Sequence, residues 1–139
     1  MKTKIFISLL FALVLLLTLA APALAAAPIK GDLQVVMGEN GTGTYSLQVT
    51  HDSRVKATVV LHGATTGSYK VYVAIVGDGS APTQTNKGIQ YFDTNDKGNG
   101  RFSGTTNPFD SGNYTVWIRV DHLPGSYLYY SYEIDITIP

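Results

Sequence analysis

From residue 32 to residue 138 the chain repeatedly alternates apolar and polar side chains with a period of two, and after residue 28 it holds no helical period of useful length. A period of two sends successive side chains to opposite faces of an extended backbone, which is the pattern of half-buried strands. Val55, Ala57, Val59 and Leu61 form one such row, and Tyr69, Val71, Val73 and Ile75 another. The second strand is also apolar on its other face, through Tyr72, Ala74 and Val76, which predicts a central strand. Leu33, Val35 and Met37 share a face, as do Tyr45, Leu47 and Val49, and pairing Val35 with Leu47 brings these two faces together. Ile89–Thr94 and Arg101–Ser103 read as a short hairpin across Asn95–Gly100, and Gly77–Gly88 reads as a polar loop. Gly, Asn, Asp and Ser clusters separate the rows at regular spacing, giving about 7–8 strands and an all-β, antiparallel β-sandwich, with a closed barrel as the alternative.

The first quarter reads differently. Met1–Lys4 is a short basic start, Ile5–Ala21 is uncharged and rich in leucine, and Pro22 precedes Ala23-Leu24-Ala25. This is the order of a secretory signal, expected to be cut after Ala25, with an uncleaved anchor as the other reading. The expected organisation is therefore a signal at 1–25 and a single domain at 26–139, secreted and extracellular. Losing Lys2 and Lys4 leaves eight basic against ten acidic residues, a net charge of −2. So small a charge points to no nucleic-acid partner, and no later apolar run points to a membrane. There is no cysteine, so the domain must be held by apolar burial rather than by disulfides.

Val59-Val-Leu-His-Gly63, Gly67-Ser-Tyr-Lys-Val-Tyr-Val73, Asp93-Thr-Asn-Asp-Lys-Gly-Asn-Gly100 and Ser111-Gly-Asn-Tyr-Thr-Val-Trp117 are turn-and-strand signals spread over most of the domain. In these the chain resembles the small immunoglobulin-like sandwiches of bacterial and archaeal secreted and surface proteins, although the paired cysteines of immunoglobulins are absent. The resemblance implies an extracellular adhesive, binding or structural module and assigns no functional residue.

No catalytic residues are expected, and the chain is read as a non-enzyme. It lacks cysteine and a Gly-x-Ser-x-Gly elbow, and His51, His62 and His122 each fall in a turn or at a strand end. His62 and His122 could meet at one end of a sandwich, but a zinc or copper site needs three or four converging ligands. Asp93, Asn95, Asp96 and Asn99 place four oxygen-bearing side chains in one glycine-containing loop, a candidate for calcium. The same residues are also what a tight turn selects, because Asn and Asp tolerate left-handed backbone. Otherwise no cofactor is expected.

The final hairpin carries the main candidate site. Tyr114, Val116, Ile118 and Val120 make an inner row, and Leu128, Tyr130, Tyr132, Ile134, Ile136 and Ile138 continue it. Closing the hairpin with Asp121 opposite Tyr127 sets Ile118 against Tyr130 and Val116 against Tyr132. The opposite face then holds Trp117, Arg119, Tyr127 and Tyr129, with Arg119 directly across from Tyr129. Exposed aromatic rings beside an arginine suit stacking and hydrogen bonding to sugar rings, or anchoring of a protein partner. The expected function is a non-catalytic binding or adhesion module for a polysaccharide or a surface protein. The alternatives are a structural subunit of a sheath or fibre that self-associates through its terminal strands, and a secreted enzyme.

Overall fold

The structure, a computed structural model, describes residues 26–36, 39–77 and 90–139, with the backbone alone for 126–128. The expected signal segment 1–25, Met37, and the 78–89 part of the expected loop and strand start lie outside the described residues. Among the described residues there are nine strands and no helix: β1 Ile29–Val35, β2 Thr42–Val49, β3 Val55–His62, β4 Ser68–Gly77, β5 Gln90–Asp93, β6 Gly100–Thr105, β7 Gly112–His122, β8 Ser126–Tyr130 and β9 Ile134–Ile138.

All pairings are antiparallel and follow the order β5-β4-β7-β8-β1-β2-β3-β6, with β9 also on β7. The path curls until its two ends, β5 and β6, are joined by the turn at 94–99, so the sheet is nearly closed and barrel-like. β1 links the two halves: Ile29–Leu33 pair with β2, whereas Gln34 and Val35 pair with Tyr130 and Tyr129 of β8. The core is the set of inward rows that the alternation marks. Val55, Val59, Leu61, Tyr69, Val71, Val116, Ile118 and Val120 are fully or almost fully buried. Each such side chain contributes roughly 1.5–3 kcal/mol, the main source of cohesion in a chain without cysteine.

Two sequence expectations about pairing are corrected. Leu47 faces Ile29 rather than Val35, because β1 begins earlier and gives its last residues to β8. The offset is even, so Leu33 still points inward, but Val35 is 37% exposed. Nor do β5 and β6 form a hairpin: β5 pairs with β4 and β6 with β3, so the turn between them spans the two halves.

The pairing of the final hairpin also differs from the expected register, and it positions the candidate site. β7 is the organising strand, paired along one edge with β4 from Tyr114 to His122 and along the other with β8 and β9. His122 meets Ser126 and Asp121 meets Tyr127, as the hairpin requires, but a bulge follows and Val120 meets Tyr129. A second single-residue slip lies beyond, since Arg119 meets Tyr130 but Val116 meets Ile134. Each slip by one residue inverts the faces. Residues 129–132 are therefore inverted, and β9 is restored. Tyr129 and Ser131 point inward and are 0% and 4% exposed, while Tyr132 is 68% exposed. Ile134, Ile136 and Ile138 are buried as the alternation predicts. Ser131 makes the second slip tolerable. Its backbone N–H donates to the Ile118 carbonyl at 2.9 Å, and its hydroxyl accepts from the Ile118 N–H at 2.8 Å, replacing a ladder carbonyl with a side chain.

Buried tyrosines fasten one end of the molecule. The Tyr129 hydroxyl donates to the Asn40 carbonyl at 2.7 Å and the Tyr69 hydroxyl to the Thr65 carbonyl at 2.6 Å. Glu39 accepts from the Thr65 hydroxyl at 2.8 Å and cross-links the same two loops. Burial, reinforced by the Glu39 charge, pushes the Tyr69 hydroxyl up to about 12; Tyr129 is raised further, by burial, then Tyr69, then Glu39. In the unfolded chain both tyrosines ionise near their ordinary value of 10.0. Their contribution to stability is therefore complete below that pH and declines as pH rises through and beyond it, because only the unfolded state loses protons there.

Two outcomes are expected. Urea midpoints measured between pH 8 and pH 12 stay level to about 10 and then fall, and the fall is shallower in Tyr69→Phe. Ser131→Ala, which strands the buried Ile118 N–H, lowers unfolding stability by roughly 1–3 kcal/mol.

Candidate functional site

The outward residues of β7 are Asn113, Thr115, Trp117 and Arg119, since Val116, Ile118 and Val120 occupy the inner face. β4 contributes Lys70, Tyr72 and Ala74, which pair across with Asp121, Arg119 and Trp117. β8 contributes Tyr130, opposite Arg119. The result is one outer face crossing three strands, with Tyr91 of β5 beside Lys70 at its margin.

Arg119 is fixed at the centre. Its Nε donates to Asp121 Oδ1 at 2.7 Å and its Nη2 to Oδ2 at 2.8 Å, a two-point contact that holds the guanidinium plane. The two residues lie two apart on one strand and so share a face, and the Asp121 side chain is only 8% exposed while that of Arg119 is 47% exposed. The guanidinium carbon lies 5.2 Å from the centre of the Tyr72 ring, and Lys70 Nζ lies 4.8 Å from it. The Tyr72 hydroxyl, as hydrogen-bond partner, holds the Lys70 ammonium above its ordinary range, with desolvation working against it. Tyr72 is thus partnered by two cations. Among the described residues the rings open to solvent are Tyr132, set edge-on to Tyr130 at 6.0 Å and 84°, and Tyr91, 61% exposed. Trp117 is half-buried between Thr115 and Arg119.

Of the four residues expected on this face, Trp117 and Arg119 are there. Tyr129 is not: it lies in the core, 6.4 Å from the Tyr69 ring, and cannot meet a ligand without unfolding. The side chain of Tyr127 lies outside the described residues. Tyr72, Tyr130 and Tyr132 were missed. The doubly apolar β4 was a signal for Tyr72, whereas the inverted parity of Tyr130 and Tyr132 has no counterpart in the alternation.

Three of the four residues read for calcium have a side-chain oxygen engaged by the protein itself. Asn95 Oδ1 accepts from the backbone of Lys97 and of Asn99, both at 3.0 Å, and Asn99 Oδ1 accepts from Gly63 N–H at 3.1 Å. Asp93 accepts from the Ser68 hydroxyl, and Asp96 is exposed. Gly98 closes the turn at φ +71°, where a Cβ would overlap the Ala64 backbone. His62 is exposed at the end of β3, and His122 rests on Tyr69 with ring centres 4.8 Å apart. Among the described residues no three His, Cys, Asp or Glu side chains form a group able to hold a metal ion.

No known protein family, curated protein or solved structure matches the chain.

The two tyrosine positions separate by mutation. Tyr129→Ala removes a buried ring and its hydrogen bond and is expected to cost roughly 3–5 kcal/mol in chemical unfolding. Tyr132→Ala, at an exposed site, is expected to stay within about 0.5 kcal/mol of the parent.

Proposed function

We propose that the chain is a secreted, non-catalytic binding module of immunoglobulin-like sandwich form, and that it holds a polysaccharide on the outer face of β4, β7 and β8. In this reading the strands β1, β2, β3 and β6 form one layer and β5, β4, β7, β8 and β9 the other. The observation that carries the proposal is the exposed Tyr132 ring, set edge-on to the half-buried Tyr130, beside an arginine whose head group is already fixed by Asp121. Aromatic rings accept the C–H faces of sugars, and an oriented guanidinium donates to hydroxyl oxygens without first losing conformational freedom. A flat strand surface suits an extended polymer better than a small molecule, which favours a concave site.

Assembly through the terminal strands has less support. Among the described residues β9 pairs only with β7, and Ile29–Leu33 of β1 pair only with β2, so both have an outer edge. Those strands carry exposed Lys30, Asp32 and Asp135, charges of the kind that discourage edge-to-edge pairing.

Trp117, the sole tryptophan, sits within the face and reports on it directly. Titration with soluble polysaccharides is expected to shift its emission saturably with at least one of them, and Tyr132→Ala is expected to weaken that binding about tenfold or more. Emission indifferent to every polysaccharide, together with concentration-dependent oligomers in sedimentation, would instead establish the assembly reading.

A further inference from the structure

Beyond Trp117 the same outer face continues toward the start of β7, where Asn113, Thr115, Asp135 and Thr137 surround a shallow hollow of about 240 Å³ between β7 and β9. This is below the roughly 300–1,000 Å³ of sites for drug-sized ligands, a size for one small polar unit. We propose that this hollow is a hydroxyl-reading subsite for a neutral sugar unit, next to the aromatic strip. The inference rests on the polysaccharide reading above and adds to it where the polymer runs and which chemistry selects it.

Three observations carry it. The first is preorganisation. The Thr115 hydroxyl donates to Asp135 Oδ1 at 3.2 Å, and the Thr137 hydroxyl donates to Asn113 Oδ1 at 3.0 Å, each bond spanning one rung of the β7–β9 ladder. These bonds hold a carboxylate and a carboxamide side by side on rigid strands. With the Asn113 oxygen engaged by Thr137, the amide brings N–H donors and Asp135 brings acceptors. A pair of adjacent hydroxyls, each both donor and acceptor, answers that combination.

The second is spacing. Thr115 lies two residues from Trp117 on one face of β7, about 6.8 Å along the strand. A ring stacked at Trp117 and Tyr132 therefore leaves its neighbour over Thr115 and Asp135. On the β4 side Val76, opposite Thr115, is 5% exposed although it points outward, so that flank is covered and the polymer must lie toward β9.

The third is charge. Asp135 is exposed at the hollow, while the charge of Arg119 is matched by Asp121. A carboxylated or sulfated polymer would meet uncompensated like charge at this end, whereas a neutral one would not.

The test titrates the protein with soluble glucan, mannan and xylan and with the carboxymethyl derivative of each, following Trp117 emission. The wild type is expected to bind at least one neutral polymer and to bind its carboxymethyl derivative more weakly. Asp135→Ala and Asn113→Ala are each expected to weaken the neutral interaction about tenfold with unfolding midpoints unchanged. Asp135→Asn, which keeps the shape and removes the charge, is expected to narrow the gap between the neutral and carboxymethyl forms. If Tyr132→Ala loses binding while Asp135→Ala and Asn113→Ala bind as the wild type does, the subsite is overturned and the stacking face stands. Preference of the wild type for the carboxymethyl form overturns the subsite in the same way. Failure of the wild type to bind any of the six overturns both readings.

Discussion

The backbone ladder along β7 is the constraint on which the rest depends. Its inner edge residues Val116, Ile118 and Val120 are buried, so each peptide group on this strand must find a partner within the protein. β4 provides an uninterrupted partner on one side. On the other side the chain returns with two surplus residues, and the ladder absorbs them singly. The first surplus lies at the bulge before Asp121, and the second is bridged by the Ser131 hydroxyl on the Ile118 N–H. Between them the faces are exchanged. That exchange puts Tyr129 where its hydroxyl fastens the 39–41 turn and sends Tyr130 and Tyr132 outward. Asp121, beside the bulge, holds Arg119 on the same face. Stability and surface chemistry thus follow from the same pair of irregularities.

Much of the architecture was legible because the alternation is strong where one face is buried and the other wet. Val55–Leu61 and Tyr114–Val120 are such rows, and their inner faces are as the period of two requires. Apolar residues on both faces of β4 signalled a central strand, and it lies between β5 and β7. Legibility failed where the pattern is degenerate. Tyr127-Leu-Tyr-Tyr-Ser-Tyr132 has aromatic residues on both faces, so a shift by one residue costs little apolar burial and the alternation cannot choose between registers. Register between β1 and β2 failed for a related reason: an even offset leaves the inner face unchanged, so only the long-range pairing of Gln34 and Val35 with β8 decides it. The turn at 94–99 uses the same Asn and Gly whether its strands pair with each other or separate, and its destination depends on β3 and β4.

The candidate site was half visible for the same reason. Trp117 and Arg119 belong to a strand of unambiguous parity, and their outward orientation follows from the burial of their neighbours. Tyr129, Tyr130 and Tyr132 belong to the inverted segment, and their roles are exchanged relative to a simple hairpin. What emerges is a surface in which charge and aromaticity are paired before any ligand arrives, with Arg119 held by Asp121 and Tyr72 covered by two cations. On the proposed reading, such a surface would lose little freedom on binding a repetitive ligand.

The inversion of residues 129–132 underlies the surface and the core alike, and tyrosine labelling of the native protein reads it residue by residue. Brief iodination followed by peptide mass spectrometry reads each ring separately. Fast modification of Tyr132, measurable modification of Tyr130, and protection of Tyr129 equal to that of Tyr69 are expected. Rapid labelling of Tyr129 with protection of Tyr130 and Tyr132 would mean an unbulged hairpin, and would contradict both the fold of this segment and the binding face proposed upon it.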